Sequence, residues 1–250
     1  MNSNKHRFYL TQILMDIYSD RELARCLCFK GGTALMFFHN LPRFSVDLDF
    51  DLLETEKAEQ VYAKVKNILL KYGEIHDEAQ KFFGDLFSLD YEHGERNLKI
   101  DISHRKYNNE YEIKNLLGIS IKTMKISDMF AYKLVALLGR KEIADRDIFD
   151  CWWFMNRKTP VKTEIIEDLA QKTYSDYMQE CINTMENLPK RSLLYGLGEL
   201  LEQDMKTFVR NKLRTEIVTL LRFYKDFPII WVDNSIKIFH SNKKYYFCKK

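Results

Sequence analysis

The sequence predicts an α/β (α+β) domain over residues 1–158, with a small mixed sheet flanked by helices, followed by a mainly α-helical domain over residues 159–250. Three observations predict it. Glycine and proline number only 9 and 4 in 250 residues, well below the roughly 12% usual for the pair, while 46% hydrophobic and 14% aromatic residues supply core filler, so helices should be long and loops few. Residues 46–52 alternate strictly between apolar side chains and aspartate, which is the period of a strand. Around Asn156 to Thr163, Pro160 and polar residues interrupt the periodicity, and the pattern beyond reads almost wholly as helix.

The elements follow in order. From Phe8 to Cys28, Leu10, Ile13, Leu14, Ile17 and Tyr18 hold helical spacing and predict a first helix. Lys30-Gly31-Gly32-Thr33 breaks the pattern and Ala34 to Phe38 resumes it, so a glycine turn should feed a short helix. Val46, Leu48, Phe50 and Leu52 then form one face of a strand, and Asp47, Asp49 and Asp51 the other. Val61, Val65, Ile68, Leu69 and Tyr72 mark a helix that Gly73 should stop. Leu86–Tyr91 and Leu98–Ser103 read as strands joined in a hairpin through His93–Arg96. Ser127 is placed to cap a helix with the stripe Phe130, Leu134, Leu137 and Leu138, and Ile148, Phe149, Trp152 and Trp153 belong to the next, both tryptophans serving as core anchors. After Pro228, Ile229–Val232 and Ile236–Phe239 suggest a terminal hairpin.

Composition excludes several classes. With 39 Lys+Arg against 36 Asp+Glu the net charge is only +3, unlike a histone-like tail, and 46% hydrophobic residues exclude a disordered or collagen-like chain. No apolar run reaches the roughly 18 residues of a membrane span, and the stretch after the N-terminus carries Asp16, Asp20 and Glu22 where a signal peptide would be apolar, so a cytoplasmic protein is expected. Cys26, Cys28, Cys151, Cys181 and Cys248 are odd in number and form no C-x-x-C pair, which favours reduced thiols. The charge is uneven: residues 1–150 hold 22 basic and 24 acidic side chains, residues 151–250 hold 17 and 12.

Chemistry concentrates in two places. Asp47 and Asp49, two apart on a strand, lie about 7 Å apart at Cα and point the same way, and such like charges call for a cation. Hard oxygen ligands suit Mg²⁺ or Mn²⁺. Asp101, on the polar face of a later strand, could complete the cluster; Asp90 and Asp51 compete for that place, and a solvated strand face bearing three aspartates is the plain alternative. The Gly31-Gly32-Thr33 helix start, separated from Asp47 by 13 intervening residues, offers backbone N–H groups and a positive helix end to phosphate oxygens.

These residues resemble the signature of the polymerase-β-like nucleotidyltransferase superfamily: Gly31-Gly32-Thr33-Ala34-Leu35, then Arg43-Phe44-Ser45-Val46-Asp47-Leu48-Asp49. More narrowly, the chain is similar to the AbiEii/AbiGii toxins of toxin–antitoxin pairs and their MenT relatives. Lys99-Ile100-Asp101, Lys133 and Arg146-Asp147-Ile148-Phe149-Asp150 match later motifs in order, over about Phe29 to Phe154. The resemblance implies transfer of a nucleoside monophosphate from an NTP to an acceptor hydroxyl, most naturally a tRNA 3′ end, with two divalent ions held by Asp47, Asp49 and Asp101. It further implies Asp101 as proton acceptor, Gly31, Gly32, Thr33 and Ser45 on the nucleotide, Lys133 facing the leaving pyrophosphate, and Asp147 in the catalytic set. A cognate antitoxin protein is the implied partner.

Other readings stay open here. Lys133 could snorkel along a core edge, and Asp147 could lie on an exposed charged face. Protein hydroxyls could be the acceptor, giving an AMPylase-like enzyme, or the chain could be a silent nucleotide- or antitoxin-binding module. A haloacid-dehalogenase-type phosphatase is disfavoured because Asp51 stands where that motif wants a small hydroxylated residue. Lys206, Arg210 and Arg214, spaced i, i+4, i+8, would form one cationic stripe able to guide RNA phosphates, with Lys243, Lys244, Lys249 and Lys250 making the tail basic.

Overall fold

Asp20 divides what the apolar periodicity of residues 8–28 joins. In the computed structural model, which describes residues 2–232, 235–240 and 243–246, helix α1 runs Ser3–Ser19 and α2 runs Arg21–Cys26. Asp20 between them is extended, and its carboxylate accepts from the backbone N–H groups of Glu22 and Leu23, so a helix cap ends the expected long helix early. The last residues of that stretch are a strand, β1 (Leu27–Lys30), which passes directly into α3 (Gly31–His39).

Strand β2 (Leu48–Leu52) begins one residue after Asp47, so Asp47 sits at the strand's entrance and Asp49 within it. A 3₁₀ turn at Thr55–Lys57 leads to α4 (Ala58–Leu69). Strands β3 (Glu74–Lys81), β4 (Gly84–Asp90), β5 (Leu98–Ser103), β6 (Tyr111–Leu116) and β7 (Ile119–Met124) complete a seven-stranded sheet in the order β3-β4-β5-β2-β1-β7-β6. The pairs β2–β5 and β1–β7 are parallel and the others antiparallel, so the sheet is mixed, as expected, and larger than the pattern suggested. One face carries Phe29, Phe50, Phe87, Ile100 and Ile102, all fully buried, and Phe29 and Phe50 lie 5.4 Å apart at their ring centres. Leu10, Ile13, Leu14 and Ile17 of α1 and Val61 and Val65 of α4 are buried in the same layer, an apolar burial of about 1.5–3 kcal/mol per large side chain.

From residue 126 the chain is helical: α5 (Ile126–Gly139), α6 (Asp145–Asn156), α7 (Thr163–Ala170), α8 (Tyr174–Glu186), α9 (Gln203–Asn211) and α10 (Leu213–Asp226). Ser127 does not cap α5; it lies inside the helix, buried, and its hydroxyl donates to Asp128. Phe130 and Phe154 stack 4.8 Å apart, and the Tyr224 hydroxyl, fully buried, donates to Thr159 O. Trp152 and Trp153 are buried, and the Trp152 indole donates to Glu216. The tail forms three antiparallel strands, β8 (Ile229–Val232), β9 (Ser235–His240) and β10 (Lys243–Tyr246), one more than the hairpin predicted. Cys248, Lys249 and Lys250 lie outside the described residues.

By contacts the chain forms two compact units, Met1–Lys125 and Ile126–Lys250. Helices α5 and α6, which the sequence places with residues 1–158, pack on each other and on α7 and α10 within the second unit. Among the described residues no helix is long and apolar enough to cross a membrane.

Candidate active site

The sheet register assembles a row of polar side chains across strands distant in sequence. Lys30 of β1 is paired with Asp49 of β2, Asp49 with Asp101 of β5, and Asp101 with Leu86 of β4. Residues in register point to the same side of a sheet, and neighbouring strands stand about 4.8 Å apart, so Asp49 and Asp101 are side by side with Lys30 next in line. Burial pushes the Asp101 carboxyl above the usual carboxylate range; Lys30 opposes this and the Asp47 charge adds to it.

The competitors are otherwise engaged. Asp51 is buried and ion-paired to the Lys30 ammonium at 2.5 Å, with the Asn109 amide donating at 3.2 Å. Asp90 accepts from the Glu92 backbone N–H in the turn after β4.

The glycine turn is fitted to this row. Gly31 has φ +78°, where a side chain is strained, and a Cβ there would collide with the Asp49 carboxylate. A Cβ on Gly32 would stand 2.6 Å from Ser45 Oγ and 2.9 Å from an Arg43 guanidinium nitrogen. The first turn of α3 thus presents bare backbone to a carboxylate on one side and to a hydroxyl and a guanidinium on the other. No side chain of Lys30 caps this helix start.

Two tethers fix the Asp47 segment. Thr33 is fully buried and its hydroxyl donates to Asp47 O at 2.5 Å, so this expected phosphate ligand holds the loop that carries a carboxylate. His6, also buried, lies 2.8 Å from Val46 O through Nε2 and 2.7 Å from the Tyr91 hydroxyl through Nδ1. A carbonyl only accepts, so Nε2 carries the proton and Nδ1 accepts from Tyr91; burial holds this ring neutral by lowering its pKa.

The second unit holds the other expected residues. Lys133 of α5 makes ion pairs with Asp147 at 2.9 Å and Asp150 at 2.8 Å on α6, both carboxylates fully buried, and Arg140 meets Asp147 at 2.8 Å. Asp147 is therefore not on an exposed face; with Asp150 it orients an ammonium.

The basic stripe changes form. Residues 203–226 are two helices broken at Lys212, and Arg214 on the second donates to Leu188 O and Pro189 O at 2.8 and 2.7 Å, pinning that loop. Lys206 and Arg210 remain together on α9, Arg210 exposed.

Sequence reasoning overlooked Lys30 and Arg43. Their signals were present: a cation directly before the glycine pair, and an arginine two residues before Ser45. Buried free thiols Cys26, Cys28, Cys151 and Cys181 take no part in the site.

For a divalent cation the donor chemistry fits: Asp49 and Asp101 are hard oxygen donors side by side, and Asp47 is near enough for its charge to act on Asp101. Among the described residues, however, no three His, Cys, Asp or Glu side chains are gathered closely enough to hold a metal ion. The expected three-carboxylate cluster is thus a register pair with Asp47 at the mouth of β2, not a closed cage.

No curated protein matches the chain in sequence. The structure of JHP933 from Helicobacter pylori is similar to it with a TM-score of 0.53 and 19% identity, over 88% of this chain and 93% of that one. A further H. pylori structure, of a protein provisionally described as a nucleotidyltransferase, is similar with the same TM-score and identity, over 88% of this chain and 96% of that one. At that identity the likeness concerns the fold. The profile of the nucleotidyl transferase AbiEii toxins, of type IV toxin–antitoxin systems, matches residues 12–226. The chain, an enzyme of nucleotidyltransferase type, therefore belongs to the AbiEii toxin family.

Proposed function

We propose that this enzyme transfers a nucleoside monophosphate from an NTP to an RNA hydroxyl, the 3′ end of tRNA being the expected acceptor. The observation that carries the reading is the register pair Asp49–Asp101 lying against a glycine turn with no room for a side chain.

Asp47, Asp49 and Asp101 would hold Mg²⁺ or Mn²⁺, which when bound neutralises triphosphate charge and makes the attacking oxygen more acidic. The protein's own groups do the rest. The Gly31 and Gly32 N–H groups, the Ser45 hydroxyl and the Arg43 guanidinium bind phosphate oxygens at the positive end of α3. Thr33 and His6 position Asp47 through backbone carbonyls. Asp101, its affinity for protons raised by burial, accepts the proton of the acceptor hydroxyl as the oxygen bonds to the α-phosphorus. The bond from the α-phosphorus to the bridging oxygen breaks, and pyrophosphate leaves. Lys133, oriented by Asp147 and Asp150, is assigned to the charge on that leaving group, and Lys206 and Arg210 to acceptor phosphates. An antitoxin protein is the proposed partner; finding a small winged-helix gene next to this one would support it.

Labelled NTPs incubated with the enzyme, Mg²⁺ and total tRNA test the reading. Label should enter the tRNA, and Asp47→Ala and Asp49→Ala should each abolish it. Label that survives both changes overturns the mechanism. Labelled protein in place of RNA makes the enzyme a protein NMPylase, and NTP binding without pyrophosphate release on any acceptor makes it a silent binding module.

A further inference from the structure

The turn between β3 and β4 displays two aromatic rings to solvent. Phe82 is 88% exposed and Phe83 58% exposed, their ring centres 4.8 Å apart in an edge-to-face arrangement. Exposed phenylalanines in contact are costly in water, and cations surround these. The Arg105 guanidinium lies 5.1 Å from the centre of the Phe83 ring, and Lys81, Arg105, Lys106 and Tyr107 are all exposed.

The rings border two clefts. One, of about 510 Å³, is lined by Lys81, Phe82, Phe83, Arg105, Ser103 and the catalytic candidate Asp101. The other, of about 620 Å³, is lined by Thr55, His104, Arg105, Lys106, Tyr107 and the same two rings. Either volume admits a nucleotide-sized group.

The tip is held in place. His104 N–H donates to Phe83 O at 3.0 Å, and the His104 ring meets the buried Asp85 carboxylate at 2.9 Å. At Gly84 a Cβ would stand 2.6 Å from Ile102 O, so glycine lets β4 close on β5 directly beneath the rings.

We infer that this hairpin tip docks single-stranded RNA, with Phe82 and Phe83 stacking on bases and Lys81, Arg105 and Lys106 meeting phosphates, so that the 3′ end enters the cleft beside Asp101. The occupant follows from complementarity. Aromatic faces interleaved with cations suit a polymer that alternates π-faces and negative charges, and stacking of this kind tolerates any base. The positive charges of Arg105 and Lys81 are felt at Asp101, so the strand and the carboxylate share one cleft. The inference rests on the proposed RNA acceptor but needs no turnover.

The test is fluorescence anisotropy of a labelled single-stranded RNA of about 12 nucleotides, within the span that such platforms cover, titrated with the full chain without NTP or metal. Phe82→Ala combined with Phe83→Ala should weaken binding at least about tenfold, and Phe82→Trp with Phe83→Trp should retain it. Arg105→Gln should weaken binding and lower the salt slope by about one. Matched thermal melts establish that the variants are folded. Wild-type protein that does not bind the RNA, or alanine variants that bind it within twofold of wild type, overturn the inference. RNA binding that behaves as expected without any nucleotidyl transfer would instead overturn the proposed function and leave the docking site standing.

Discussion

Gly31 shows how far a single residue can be constrained. Its φ of +78° disfavours any side chain, and the Asp49 carboxylate occupies the space a Cβ would need. Gly31→Ala should therefore cost about 1–2 kcal/mol from backbone strain alone and displace Asp49, lowering Tm and abolishing NTP binding in calorimetry. Asp101 gives a signed pH effect. Its folded pKa lies above the unfolded value, so between the two the folded state binds more protons and stability falls as pH rises. At pH 7 without metal, Asp101→Asn should raise Tm, and the stabilisation that wild type gains from Mn²⁺ should shrink in the variant. A lower Tm for the variant in metal-free buffer contradicts the assignment. At this scale Gly31, Gly32, Asp47, Asp49 and Asp101 were legible because spacing and alternation are written in the chain. The duties of Arg43 and of the Thr33 hydroxyl were not, since they depend on which atoms folding brings within reach.

The elements show where local pattern loses to tertiary context. The apolar period of residues 8–28 continues through Asp20, yet a carboxylate that can cap two backbone N–H groups ends one helix and begins another. Asp20→Ala should cost about 1 kcal/mol, read as a lower midpoint in urea. Leu27–Lys30 is a strand because it gains β2 on one side and β7 on the other, which no window on the sequence shows. Strands β3, β6 and β7 were not foreseen, although Tyr111-Glu112-Ile113-Lys114 and Ile119-Ser120-Ile121-Lys122 alternate apolar and polar residues; β3 and β6 are the two edges of the sheet, with largely exposed or half-exposed side chains. The strands β2 and β5 that carry the carboxylates were visible, because one of their faces is buried and the other polar. In the second unit the expected single helix over Lys206 to Arg214 breaks at Lys212, and Arg214 beyond the break ties down residues 188–191.

Across the whole chain, the near balance of 39 basic against 36 acidic residues conceals two different uses of charge. In Met1–Lys125 the carboxylates Asp49 and Asp101 lie in register beside a glycine turn, whereas in Ile126–Lys250 Asp147 and Asp150 are fully buried and paired with Lys133. Removing the Lys133 cation takes an ion pair from each of two fully buried carboxylates, Asp147 keeping Arg140. Lys133→Met should destabilise the fold by about 3 kcal/mol in denaturant unfolding. An unchanged midpoint would show that the network carries little stability.

Asp49 and Asp101, joined by sheet register, are proposed to form one nucleotidyl-transfer centre. This is tested most directly by following pyrophosphate release and labelled NMP incorporation into tRNA together, for wild type, Asp49→Asn and Asp101→Asn. Wild type should give equal amounts of both products and the two variants neither, with all three proteins folded. Incorporation into RNA at the wild-type rate by either variant would contradict it.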